Sequence, residues 1–157
     1  DPHNLRIVIA KGKAHERLEN FKAAYETFKS GLKQDVHNGE LLFSVASNLC
    51  KLGRFEEALV QYDRAIENEP LNAHHRCDKA FTLLNLGRPQ EALVNFTQSI
   101  SLDPSLAQAY KGKADTLFKL GDIDEAIAFY DKALELNPDD IGVSFNKGSA
   151  LCKNERY

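Results

Sequence analysis

Three Leu-Gly pairs stand at Leu52-Gly53, Leu86-Gly87 and Leu120-Gly121, each 34 residues from the next, and this period constrains the fold more than any other feature. Ala58, Ala92 and Ala126 keep the same interval, as do Tyr62, Phe96 and Tyr130, and Pro70, Pro104 and Pro138. One period earlier Leu18, Phe21, Ala24 and Phe28 hold the pattern, with Glu19 in the glycine position and Val36 in the proline position. Agreement among four residue classes describes one supersecondary unit stacked on copies of itself. Such units stack because a single one cannot bury its own apolar face.

Each recurring residue has a physical task that implies paired helices and no strand. Gly53, Gly87 and Gly121 can take the left-handed conformation that stops a first helix. Small residues at Gly12, Ala46, Ala80, Ala114 and Gly148, facing Ala24, Ala58, Ala92 and Ala126, predict close approach of the two helices of a unit. Pro89 suits the first turn of a second helix, where no intrahelical acceptor is lost. Pro70, Pro104 and Pro138 end the second helices.

With these residues in place, the chain resembles the tetratricopeptide repeat over nearly its whole length. The units are 5–38, 39–72, 73–106 and 107–140, followed by a partial unit 141–157 and preceded by 1–4 as the tail of an earlier unit. Residues 1–157 thus read as a single array. The resemblance implies an all-α, right-handed α-solenoid of antiparallel helix pairs. Unit 107–140 lies close to the family pattern, while unit 73–106 departs at Lys79 and Ser99. Asp1-Pro2-His3-Asn4 falls one period before Asp35 to Asn38, and Tyr157 matches the aromatic position of Phe21 and Phe55. The expectation is a window on a longer array. Its uncapped C-terminal helix exposes apolar surface and drives formation of a homo-oligomer.

Composition narrows the function. The 20 Lys plus Arg against 23 Asp plus Glu leave a net charge of −3, with no basic surplus for neutralising phosphates, so nucleic-acid binding is not expected. A hydrophobic share of 43% supports a packed core, yet no apolar run is long enough for membrane insertion. Cys50, Cys77 and Cys152 suit reduced thiols and a cytoplasmic setting rather than disulfides.

Catalytic patterns fail one by one. His15-Glu16-Arg17-Leu18-Glu19 has Glu19 where a zinc-protease helix needs its second histidine. Gly12-Lys13 and Gly112-Lys113 lack the earlier glycine of a phosphate loop, having Ile7 and Ala107 instead. His74 and Cys77, even with Cys50, fall short of the four ligands of a structural zinc. Asn95-Phe96-Thr97 spells a glycosylation site, but Phe96 is a repeated core position. The reading is therefore not an enzyme, with no cofactor and no metal.

By resemblance, the inward face of the array is formed by the second, fifth, ninth, twelfth and thirteenth positions of each unit. Those positions supply the candidate partner-binding groove: Phe43, Lys51, Cys77, Phe81, Leu84, Lys111, Asp115, Phe118, Lys119 and Phe145. They make an apolar stripe edged by lysines. Phe43, Phe81 and Phe145 are not framework residues, which makes them candidate anchors; the competing reading packs them against neighbouring first helices. The family's carboxylate clamp for chaperone tails uses Lys and Asn, then Asn, then Lys and Arg. Here its positions hold Ile9, Lys13, Ser44, His74 and Asp78, or one unit later Phe43, Ser47, Asp78, Gln108 and Gly112, so the clamp is not matched. The functional expectation is a non-catalytic scaffold that takes a protein or peptide partner in its concave groove, the ligand carrying bulky apolar anchors and nearby acidic residues. Two alternatives stand beside it: a docking or regulatory arm of a larger multidomain enzyme, and a self-associating structural segment.

Overall fold

The computed structural model describes residues 2–154. Among them the backbone forms helices α1 (Pro2–Arg17), α2 (Phe21–Leu32), α3 (Gly39–Lys51), α4 (Phe55–Asn68), α5 (Ala73–Asn85), α6 (Pro89–Leu102), α7 (Ala107–Leu120), α8 (Ile123–Leu136) and α9 (Ile141–Asn154). No strand occurs among the described residues. The fold is the expected all-α helical repeat solenoid. None of these helices is long and apolar enough to cross a membrane.

The ends of the helices follow from their residues. Asn20 and Asn38 accept the backbone N–H groups of Ala23 and Leu41, each at 3.1 Å, and so cap α2 and α3. The second helices α4 and α6 lack such a cap. Instead Arg54 forks onto Glu57 with two 2.7 Å bonds, and Arg88 onto Glu91 with two of 2.6 Å, 34 residues along. Helices α4, α6 and α8 each stop two residues before Pro70, Pro104 and Pro138. Pro2 to Asn4 form the first turn of α1, where the missing proline N–H has no intrahelical acceptor to lose. The readings made at Asp1 and Tyr157 lie outside the described residues.

All four first-helix-to-second-helix turns share one hydrogen-bond pattern. The N–H of Asn20, Arg54, Arg88 and Asp122 donates to the carbonyl five residues back, at 2.9 to 3.0 Å. The preceding residue donates to the carbonyl three residues back. This double closure requires a left-handed residue. Gly53, Gly87 and Gly121 supply it at φ 74, 69 and 98°, and Glu19 adopts φ 54° in the same place.

The chain divides into two compact units, residues 1–75 and 76–157, with the division inside α5. In the first, α2 packs on α1 and α3, and α3 on α4. Phe28, Leu41, Val45, Ala46, Leu49, Ala58 and Tyr62 form its core. The bare backbone of Gly12 receives the Phe28 ring: a Cβ there would lie 2.3 Å from a ring carbon. The expected small-residue crossing at Gly12 is thus filled by an aromatic ring.

In the second unit α7 packs on α6 and α8, and α8 on α9, around Ala114, Leu117, Ala126, Tyr130, Val143 and Ala150. The repeated alanines 46, 58, 80, 92, 114 and 126 are all fully buried, which agrees with their predicted place at helix crossings. Gly148 differs. Nothing lies within 4 Å of where its Cβ would stand.

Candidate functional site

The candidate groove residues divide by what already surrounds them. In the first unit Phe43 is half-buried, stacked on His75 with centroids 5.1 Å apart and edge-on to Tyr62 at 5.9 Å. Its ring packs partly against the core. Lys51 is exposed at the end of α3.

In the second unit Cys77 is 1% exposed and offers no surface to a partner. Burial, with the Asp78 carboxylate adding to it, pushes its thiol up to about 12. It acts as a small apolar packing residue. Asp115 is also engaged internally: it accepts the Tyr130 hydroxyl at 2.6 Å and the Asn146 side-chain amide at 2.9 Å, tying α7 to α8 and α9. Burial, and then the hydrogen bond to Asp115, hold the Tyr130 phenol far above its usual range. Cys77 is thus closed off, while Asp115 is half-buried with its Oδ1 engaged by both donors.

Phe81 has two faces. Its ring meets Phe96 edge-on at 5.0 Å, and both rings press on the backbone of α7 at Gly112, where a Cβ would lie 2.4 Å from Phe96 and 2.9 Å from Phe81. The remainder of the ring is half-exposed and lines a cleft of about 540 Å³ with Gln108, Lys111, Asn137, Asp140 and Val143. Helix α7 carries Gln108 and Lys111 one turn apart, which puts both on the same side of it. Asp140 stands at the N-terminus of α9. The Val143 N–H at 2.9 Å, followed by the Lys111 ammonium at 3.5 Å, holds its carboxyl below the usual range. Lys111 and Asp140 are one-third and one-quarter exposed, so both still meet water at the cleft mouth.

This cleft brings together Phe81 and Lys111 from the predicted set and leaves the others elsewhere. Leu84 is half-buried; Phe118 is half-buried with the Lys153 ammonium 5.3 Å from its ring centroid. Lys119 is exposed, and Phe145 is 74% exposed on α9. Sequence reasoning passed over Gln108, Asn137, Asp140 and Val143. Gln108 occupies the second position of its unit, one of the inward positions, and Asn137-Pro138-Asp139-Asp140 spells a turn that caps α9. No group of three or more His, Cys, Asp or Glu side chains suited to a metal occurs among the described residues.

Solved structures with the same arrangement include MamA from Desulfovibrio magneticus RS-1, at 18% identity and TM-score 0.86 over 96% of this chain and 85% of that one. YrrB, described as a TPR protein with an unusual peptide-binding site, is 27% identical with TM-score 0.78 over 87% and 71%. The first TPR of Spaghetti (RPAP3), bound to the HSP90 peptide SRMEEVD, is 20% identical with TM-score 0.73 over 74% and 95%. Among curated proteins none matches. Tetratricopeptide repeat profiles match residues 9–73, 61–94 and 107–140. With the 34-residue period, the paired helices and the repeated turns, these matches establish that the chain belongs to the tetratricopeptide repeat family.

Proposed function

We propose that this chain is a non-catalytic interaction module that takes a peptide segment of a partner protein in the cleft over α7. The carrying observation is the half-exposed Phe81 ring beside Lys111 and Gln108 in a concave site of about 540 Å³. An apolar ligand side chain against Phe81 supplies affinity, and Lys111 with the Gln108 amide orients the ligand backbone or an acidic neighbour. The peptide-binding site named for YrrB and the peptide bound to RPAP3 support a peptide as the class of ligand. The chaperone-tail clamp is not matched at either phasing. Its positions hold Ser44 and Asp78 where the clamp needs amides and cations, and Lys13 is paired with Glu40 at 2.6 Å.

The test is capture of partners on the immobilised chain, then titration of the recovered peptide. Gln108→Arg and Lys111→Glu, which spare the Phe81 packing, should weaken binding by about 1–3 kcal/mol as removal of a central contact does. Unchanged affinity in the folded double variant would move the site off this cleft.

A second reading, self-association, is favoured by α9, where Ile141 and Phe145 sit one turn apart at 84% and 74% exposure. Light scattering of Ile141→Glu, Phe145→Glu against the parent separates the two. A monomeric mass for both refutes self-association.

A further inference from the structure

Helix α2 ends on a surface the repeat does not call for. Lys29 and Lys33 stand one turn apart and both are exposed. At the same repeat positions the chain has Asp63 and Glu67, then Thr97 and Ser101, then Asp131 and Glu135. The framework therefore accepts acidic residues there, and two lysines at this spacing repel one another. Lys29 holds its ammonium 5.2 Å from the Tyr25 ring centroid, and the Tyr25 hydroxyl, ahead of the Glu26 carboxylate, raises its pKa.

The two lysines border a cleft of about 330 Å³ between α2 and α4, on the second helices, which the groove reading leaves idle. Its floor is apolar: Val45 and Leu49 of α3 lie beneath it, 3% and 2% exposed. Leu32 and Val36 continue that surface to the mouth, where Val36 is 49% exposed in the position that holds proline in the later units. Arg64 adds a third cation from α4, positioned by donating Nη2 to the Val36 carbonyl at 2.9 Å and Nη1 to Gln61 at 3.0 Å. The carboxylate that lines the cleft, Glu57, is already held by the Arg54 fork at 2.7 Å. The result is an apolar floor rimmed by three cations, facing one lining carboxylate, Glu57, whose two oxygens are taken up by Arg54 and which reaches Lys29 only through its field.

We propose that the cleft between α2 and α4 is a second docking site, for an acidic segment of a partner protein that seats one bulky apolar side chain over Leu32 and Val36 between carboxylates that meet Lys29, Lys33 and Arg64. Apolar burial and charge complementarity act together in such a site, the first for affinity and the second for choice of ligand.

The test uses the full chain with ¹⁵N-labelled amides and a capped peptide of one leucine flanked by two glutamates on each side. A second peptide replaces the glutamates by glutamine. The acidic peptide should shift the amides of Lys29, Leu32, Val36 and Gln61 saturably. The double variant Lys29→Glu, Lys33→Glu installs the acidic character of the second and fourth units, so its fold is preserved, and it should bind at least about tenfold more weakly. Equal binding of the glutamine peptide, unchanged shifts in the double variant, or no saturation below about 1 mM overturns the proposal. Shifts confined to Gln108 and Lys111 also overturn it, while leaving the cleft over α7 standing.

Discussion

Replacing Glu19 by glycine should stabilise the chain, and the repeat itself supplies the controls. Glu19 sits at φ 54° in a turn whose three counterparts are glycines at φ 74, 69 and 98°. Nothing lies within 4 Å of a Cβ built on any of those glycines, so the demand on this position is for backbone conformation and not for space. A side chain in the left-handed region costs roughly 1–2 kcal/mol from the clash of Cβ with its own backbone. Glycine returns roughly 0.5–1 kcal/mol of that through the extra freedom it gives the unfolded chain. Taking the middle of each range, the net gain for Glu19→Gly is roughly 0.75 kcal/mol, or about 1.5–3 °C in Tm for a chain of this size. Urea denaturation followed by helical signal measures it, and slower amide exchange at Glu19 and Asn20, the two donors of the turn, localises it. Gly121→Glu is the mirror experiment and should lose about what Glu19→Gly gains or more. If Glu19→Gly is neutral or destabilising while Gly121→Glu is tolerated, the left-handed turn is not the source of strain and the reasoning fails.

Three further outcomes follow from the packing. Gly112→Ala should destabilise by about 1–3 kcal/mol, because its methyl group would collide with the rings of Phe96 and Phe81; equilibrium unfolding at the parent midpoint would count against it. Tyr130→Phe removes one of the two hydrogen bonds to Asp115 and should lower stability by about 1–3 kcal/mol, with the amides of α9 exchanging faster. His75 is buried, and that burial lowers its pKa from 6.5 despite the Glu69 carboxylate 3.8 Å away and with the neighbouring His74 adding to the effect. A lowered folded pKa means the unfolded chain binds the proton more readily, so this contribution is complete above about pH 6.5 and is lost as pH falls through the folded value. Stability between pH 7 and 5 should therefore fall less steeply in His75→Phe than in the parent.

The period made much of the backbone legible: the glycines mark the turns after α3, α5 and α7, and the prolines mark the ends of α4, α6 and α8. It does so because turns and caps are local, and each depends on a few adjacent residues. Side-chain surroundings were legible only in part. Position five of a unit carries Phe43, Cys77, Lys111 and Phe145, and the structure makes these a stacked ring, a buried thiol, a cleft cation and an exposed ring. The same backbone site meets different neighbours in each unit, and those neighbours come from adjoining units far along the chain. Asp115 shows the limit well. Its spacing puts it on the groove face, but only the arrival of Tyr130 and Asn146 commits its carboxylate to the framework.

The Phe81, Phe96 and Gly112 wedge has a consequence for how such a site can change over evolutionary time. A residue that lines a binding cleft is usually free to vary with the ligand, because its replacement touches nothing else. Phe81 has no such freedom, since a smaller side chain opens space over Gly112 and a larger one must displace Phe96. A lineage that alters specificity at position 81 must therefore pass through an intermediate that is poorly packed, or acquire a compensating change at 96 or 112 first. Gln108, one turn before Gly112, and Lys111, next to it in the chain, carry no comparable ring packing, so the proposed site has an open path to new ligand preferences through them.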